Sequence, residues 1–104
     1  MNKLVIQFAY PPDVEDFEIK WSERFVPVAE KMPGVKRVSV SRIYGGPAGE
    51  VDLHLVHEFY FDDAKSLRYA MASPEGQRAG QELLAFAADY VTIFFAEHLE
   101  EARE

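Results

Sequence analysis

The chain has 104 residues, of which 48% are apolar, 13% aromatic and 28% charged, so it is long enough for one globular domain with its own core. Its net charge of −7, with no run of lysines and arginines, argues against binding to nucleic acid or to an anionic membrane. The chain has no cysteine, which excludes disulfides and thiolate chemistry, and no recognisable signal peptide or membrane span, so we expect a cytoplasmic protein.

The first strand and the first helix are marked by clear boundary signals. KLVIQFAY (3–10) is rich in β-forming residues and ends at a proline pair, which predicts a strand. Asp13 can cap the helix that follows, and a Pro-Gly pair should end that helix near Met32. Pro27 lies inside the helix and removes one backbone hydrogen bond, so we expect a kink or a weakened turn nearby.

The rest of the chain predicts two further strands, a broken helix and a last strand. Residues 35–44 alternate and predict strand two, 45–50 a turn, and 51–61 strand three in a hairpin with strand two. An aspartate pair then offers a helix cap, and Ser73, followed by proline, restarts the helix. DYVTIFFAEH (89–98) predicts strand four.

The order β-α-β-β-α-β is typical of the ferredoxin-like split βαβ, an α+β fold. We therefore predict one domain (1–104) with a four-stranded antiparallel sheet and both helices on one face. Strands one and four show little polar alternation, as if buried on both sides, and a second copy of the sheet is the simplest cover. The sequence thus predicts a homodimer through the sheet face. The charged tail LEEARE is expected to be frayed or bound to the partner.

The three histidines do not have metal-binding spacing. His54 and His57 are three apart on the predicted strand, so they should point to opposite faces, and His98 near the end should be solvated. We predict no metal site.

His57 has two interpretations. Its strand face is otherwise apolar, which indicates the side covered by helices; the residues are Leu53, Leu55, Phe59 and Phe61. It is either a core histidine bonded to a backbone carbonyl or an acid/base group in a pocket, because imidazole titrates near neutrality.

The opposite face of the same strand carries His54, Val56, Glu58 and Tyr60. If that face meets a second subunit, Glu58 is a polar group in an interface. The packing interpretation makes it a structural carboxylate paired with Arg37 or Arg42 of the neighbouring strand.

The first helix carries an aromatic stripe, Phe17, Trp21 and Phe25, at four-residue spacing. Such a stripe usually packs in the hydrophobic core. Alternatively, Trp21 and Phe25 wall an apolar cleft between helix and sheet where a small ligand binds, and the kink expected at Pro27 favours that weakly.

Four stretches resemble the EthD family, and the similarity covers nearly the whole chain. FEIKWSERFVPVAEKMPGVKRVSVSR is similar to the family's first helix and second strand, HLVHEFYFDD to its third strand, and VTIFFAE to its last; AMASPEGQ is the most distinctive match. The resemblance implies a ferredoxin-like protomer whose sheet pairs with a second sheet in a dimeric α/β barrel. The family is associated with degradation of ethyl tert-butyl ether.

One departure from the family pattern affects the chemistry. EthD-like sequences often carry a histidine two residues before the proline of the first helix, where this chain has Phe25; the aromatic usual four residues earlier is kept as Trp21. The obvious acid/base group is therefore missing from the helix, and we hypothesise that His57 replaces it from the sheet.

Three functions remain open at this point. The first is a cofactor-independent oxidoreductase or isomerase of a small hydrophobic molecule, with His57 as acid/base and with Trp21, Phe25 and Tyr44 shaping the cleft. The alternative is a non-catalytic dimer that binds a small molecule in that cleft, and the third is a dimer without a ligand. No cofactor is expected in any of them.

Overall fold

The computed structural model describes residues 1–103, and its element order is the predicted one. The elements are β1 (Asn2–Phe8), α1 (Val14–Lys20), a π-helical segment (Trp21–Phe25), α2 (Val26–Ala29), β2 (Arg37–Arg42), β3 (Leu55–Phe61), α3 (Ala64–Ala72), α4 (Pro74–Ala87) and β4 (Val91–Glu97). None of the helices in the described range is both long and apolar enough to span a membrane.

The four strands form one antiparallel sheet in the order β2-β3-β1-β4. The core lies between one face of this sheet and the helices. It joins Leu4, Ile6 and Phe8 of β1 to the aromatic stripe of the first helix and to Leu83 of α4. The ferredoxin-like α+β fold predicted from the element order is therefore confirmed.

Side chains cap three of the helices where the sequence predicted caps. Asp13, Asp63 and Ser73 each accept a hydrogen bond from the backbone N–H three residues later, at 3.0, 2.7 and 3.0 Å. Each cap satisfies one of the N–H groups that a helix start leaves free.

The first helix changes its hydrogen bonding just before Pro27. The backbone N–H of Val26 bonds to the carbonyl of Trp21, five residues back, and Trp21–Phe25 forms a π-helical turn. Proline has no N–H to continue the α-helical ladder, so the wider turn absorbs the missing bond. This is the weakened turn that the sequence predicted.

Strand three is shorter than predicted. It begins at Leu55 rather than at residue 51, and residues 43–54 form a long loop with a single bridge between Gly46 and Gly49. The alternation of strand three therefore does not extend back to His54.

Strands one and four were predicted to be buried on both faces of the sheet. In the single chain, only strand one is buried in this way. Val5 of β1 is 3% exposed on the sheet face away from the helices. Strand β4 is an edge strand instead, and Ile93, Phe94 and Phe95 are 40%, 39% and 59% exposed. The apolar side chains of β4 are therefore partly uncovered on both faces of the sheet.

Glu58 is paired, but not with either predicted arginine. Its carboxylate lies 2.5 Å from the Lys3 ammonium of β1, on the face away from the helices, and the hydrogen bond that Lys3 donates to it raises the pKa of Lys3. Arg42 lies on the other face, opposite Leu55 in the register. Arg37 bonds to Glu100 of the tail at 2.7 Å.

His98 and Glu100 make bonds to the rest of the protein, so His98 is not solvated as expected; residues 99–103 are exposed, and the last residue of the tail, Glu104, lies outside the described residues. His98 is bonded through its backbone to Met1, and its ring lies 4.9 Å from that of Tyr60. The hydrogen bonds of Glu100 with Arg37 and His98 hold the pKa of that carboxyl at about 2. Residues 98–100 therefore connect the end of β4 to Tyr60 of β3 and Arg37 of β2.

Candidate functional site

His57 lies in the middle of β3 with its side chain fully buried on the helix side. The Trp21 indole N–H donates a hydrogen bond to its Nδ1 over 3.2 Å, and the two ring centroids are 5.3 Å apart. The Phe25 ring is 5.8 Å from the imidazole. Strand alternation and the stripe on the first helix bring these three predicted residues together.

The hydrogen bond from Trp21 decides the state of the imidazole. Because Nδ1 accepts, the neutral ring carries its proton on Nε2. That Nε2 is buried and has no hydrogen-bond partner. Desolvation by burial lowers the pKa of His57 from 6.5 to about 4, so the ring is neutral at neutral pH. The backbone-carbonyl acceptor expected from the sequence is not formed: the ring accepts from the indole at Nδ1, and its Nε2–H has no acceptor.

Within residues 1–103, three buried side-chain atoms lack a hydrogen-bond partner, and each belongs to a residue on the first helix or in contact with it. They are Glu18 Oε2, His54 Nε2 and His57 Nε2. Glu18 is in α1, His54 has its ring 5.4 Å from that of Phe17, and His57 contacts Trp21. Native cores rarely leave such atoms unsatisfied, so this side of the first helix is the candidate site.

His54 corrects one prediction. It was expected on the face opposite to His57, but its ring contacts Phe17 of the core and Tyr10. Since β3 starts only at Leu55, no strand alternation acts on this residue.

An ion pair between Arg42 and Glu18 lies next to Trp21. Arg42 donates from Nε and Nη2 to the same oxygen of Glu18, Oε1, at 3.0 and 2.8 Å. The Arg42 guanidinium also lies 5.5 Å from the centre of the Trp21 ring, within cation–π range. No sequence motif marked Glu18, and only its spacing of three residues from Trp21 placed the two on one side of the helix.

The space between the helices and the sheet is small. A cavity of about 30 Å³ is lined by Phe25, Ile6 and apolar residues of α3 and α4, but not by Trp21 or His57. It has room for about one water molecule, so a larger ligand needs the first helix to move.

Tyr44 is not brought to the other predicted site residues. It lies in the loop after β2, is fully exposed, and lines a separate open cavity of about 740 Å³ together with Tyr10 and Leu53. In the described range, no three His, Asp or Glu side chains come together as a metal site.

The chain is similar to known proteins over almost its whole length. No protein-family model matches the chain. A protein of Rhodococcus erythropolis, described as an uncharacterized 11.0 kDa protein in the thcB-thcC intergenic region, is 28% identical over 97 residues, 93% of this chain and 94% of that protein.

Solved structures show the fold. SnoaB, a cofactor-independent oxygenase from Streptomyces nogalater, is 18% identical with a TM-score of 0.70, over 99% of this chain and 97% of that one. A dimeric ferredoxin-like protein of unknown function from Jannaschia is 17% identical with a TM-score of 0.67, over 94% of this chain and all of the other. At these identities the likeness establishes the fold alone.

The crystal structure of an ethyl tert-butyl ether d (EthD) family protein from Bacillus halodurans is more similar. It is 33% identical to this chain with a TM-score of 0.92, over 95% of this chain and 99% of the other. The chain belongs to the EthD family.

Proposed function

We propose that this EthD protein is a homodimer that binds a small, largely apolar molecule between its first helix and its sheet, and acts on it in catabolism as a cofactor-independent oxidoreductase or isomerase. Membership of the EthD family and the fold shared with SnoaB, described as a cofactor-independent oxygenase, support this proposal. The fold shared with a protein described as dimeric supports the assembly.

The unpaired Nε2–H of His57 carries the proposal. A buried donor without an acceptor costs about 1–3 kcal/mol, and a side chain chosen only for packing would avoid that cost. A ligand oxygen placed against Nε2 would supply the missing acceptor. Trp21 fixes the tautomer that presents this proton, as an orienting group does at many catalytic imidazoles.

The low pKa of His57 defines its role. With a pKa of about 4, the ring is a weak base at neutral pH, but it is a good neutral hydrogen-bond donor. We therefore assign it to a ligand oxygen on which negative charge develops during the reaction, the role of an oxyanion-hole donor. Proton abstraction would need another group.

Ligand entry requires an opening, and the π-helical turn is the place for it. Trp21–Phe25 carries two of the three site aromatics and has the wide hydrogen-bond register that is frequent at functional sites. A shift of this turn away from β3 would join the small cavity at Phe25 to His57.

A specific observation favours a second function, non-catalytic binding. The helix position where EthD-like sequences often have histidine is Phe25, and the remaining imidazole is neutral over the physiological range. Such a site would hold a ligand without exchanging protons with it.

Trp21 is the only tryptophan, so its fluorescence reports on this site alone. We would titrate the protein with acetophenone, an apolar probe with one carbonyl acceptor. We expect saturable binding that His57→Phe weakens about tenfold, the value of one hydrogen bond, and that His57→Gln partly restores. His98→Phe, the same substitution on the far sheet face, should leave affinity within twofold.

Equal affinity in wild type and His57→Phe would refute the proposed role of His57. Product analysis by mass spectrometry under air, with aryl ketones and phenols as substrates, separates the enzyme from the binding protein. Binding that depends on His57 but yields no product would establish the second function.

A further inference from the structure

Glu18 lies on the same side of the first helix as the Trp21–His57 pair. It precedes Trp21 by three residues, a spacing that makes two helix residues neighbours. Arg42 contacts both the Glu18 carboxylate and the Trp21 ring. These contacts place a carboxylate beside the indole that orients His57.

The two oxygens of Glu18 have different environments. Oε1 accepts both hydrogen bonds from Arg42, at 3.0 and 2.8 Å, while Oε2 is buried and accepts none. A carboxylate oxygen has two lone pairs to satisfy, and a bidentate arginine usually serves both oxygens.

The ion pair with Arg42 does not explain this arrangement. Exposed pairs contribute little to folding because water solvates both partners equally well. Here the arginine is 57% exposed and the Glu18 side chain 31% exposed, but one of its oxygens, Oε2, is buried without receiving a donor. An acceptor kept dry and free in this way is suited to a donor that arrives with a ligand.

The first helix therefore presents one free acceptor, and β3 presents one free donor. His57 Nε2–H can donate to a ligand oxygen, and Glu18 Oε2 can accept from a ligand hydroxyl. We propose that Glu18 is a second ligand-binding residue and that the ligand class is hydroxyl-bearing: a small apolar molecule, such as a phenol, with a carbonyl as well. This inference rests on the proposed function, because it adds a partner to the same site.

The consequence is a preference for hydroxyl compounds over ethers. A hydrogen bond to a charged acceptor is stronger than one between neutral groups, and methylation of the hydroxyl removes the donor. We would measure the affinities of 2-, 3- and 4-hydroxyacetophenone and of the matching methoxyacetophenones by Trp21 fluorescence. We expect at least one hydroxyl isomer to bind about tenfold more tightly than its methyl ether.

Two variants assign the preference to Glu18. In Glu18→Gln the arginine holds the amide oxygen and the amide nitrogen replaces Oε2, so the acceptor becomes a donor and the preference should fall to about twofold or less. Glu15→Gln removes the same charge from an exposed position of the same helix and should keep the preference. The comparison of hydroxyl and methoxy probes on wild type needs no variant.

Each outcome separates this inference from the function on which it rests. Equal binding of every hydroxyl and methoxy pair, with affinity still dependent on His57, overturns the role of Glu18 and leaves the proposed function standing. A preference that survives Glu18→Gln also overturns it. Binding that His57→Phe does not change overturns the proposed function, and the role of Glu18 with it.

Discussion

At the scale of single residues, His57 is an exception in its own row of the sheet. Its neighbours across β2 and β1 on the helix side are Val40 and Ile6, so a branched aliphatic side chain would suit the position. The imidazole instead receives a hydrogen bond from Trp21 and leaves one N–H unpaired. Packing alone therefore does not explain why this position has a polar side chain.

The pH dependence of stability tests the state of His57. In the unfolded chain the imidazole binds a proton with a pKa near 6.5, but in the folded chain it does so only near 4, so stability falls as the pH drops from 6.5 to 4. Between about pH 7.5 and about pH 5, this residue should cost about 2 kcal/mol of unfolding free energy. Urea denaturation at the two pH values measures it.

The comparison with His57→Gln isolates this contribution from the other histidines. The variant should lose about 2 kcal/mol less than wild type over the same pH interval. Equal losses in the two proteins would mean that His57 titrates normally. Nitrogen NMR of the histidines provides a direct check, since the folded ring should stay neutral, with its proton on Nε2, at pH 5.

At the scale of elements, the junction of α3 and α4 explains the family-like stretch AMASPEGQ. The Ser73 hydroxyl ends α3 by donating to the Ala70 carbonyl at 2.6 Å and caps α4 through the N–H of Gly76. A Cβ at Gly76 would overlap the Ala70 carbonyl oxygen and lie 2.9 Å from that of Met71. Glycine is therefore needed here for close approach of the two helices.

Two glycines of α4 make a matched pair for testing this packing. Gly76→Ala should destabilise the protein by about 1–3 kcal/mol, because the backbone of α3 must shift to admit the methyl group. Gly80→Ala, where an added Cβ meets nothing within 4 Å, should be neutral or stabilise by about 0.5–1 kcal/mol. Urea unfolding of both variants measures the difference, and similar values for the two would contradict the close approach.

At the scale of the whole molecule, the sheet face away from the helices is left partly uncovered. Val5 and Phe94 are direct neighbours on that face, and the Lys3–Glu58 pair lies next to them. The tail covers one end through Glu100 and leaves this row open. A second sheet packed on the row would bury Phe94, which is 39% exposed in the single chain.

Phe94→Lys tests the proposed homodimer. A lysine in the middle of the interface would bury an unpaired charge, so the dimer should dissociate to monomers at micromolar concentration. Light scattering after size-exclusion chromatography measures the mass. Tyr69→Lys, the same kind of change on the exposed surface of α3, should leave the mass unchanged. Two variants of equal mass would place the interface elsewhere or exclude it.

Local rules were sufficient for most of the fold. The caps at Asp13 and Ser73, the disturbance before Pro27 and the helix-facing side of His57 follow from hydrogen-bonding groups and periodicity within a few residues. The start of β3 was harder to predict, because the alternation of the sequence continues into residues 51–54, which lie outside the regular strand. The partner of Glu58 was missed because Lys3 of β1 and Arg37 of β2 both lie opposite Tyr60, and Arg37 pairs with Glu100 instead.

The sequence by itself determined the element order, the α+β class and which residues of the first helix and of β3 face one another, since these depend on spacing along the chain. Only the tertiary structure decided what those residues do when they meet. The Trp21 indole donates a hydrogen bond to His57, one oxygen of Glu18 is buried without a partner, and Tyr44 lies exposed on a loop. Hydrogen bonds between distant segments depend on register, helix rotation and burial, and these are set jointly by the whole packed core.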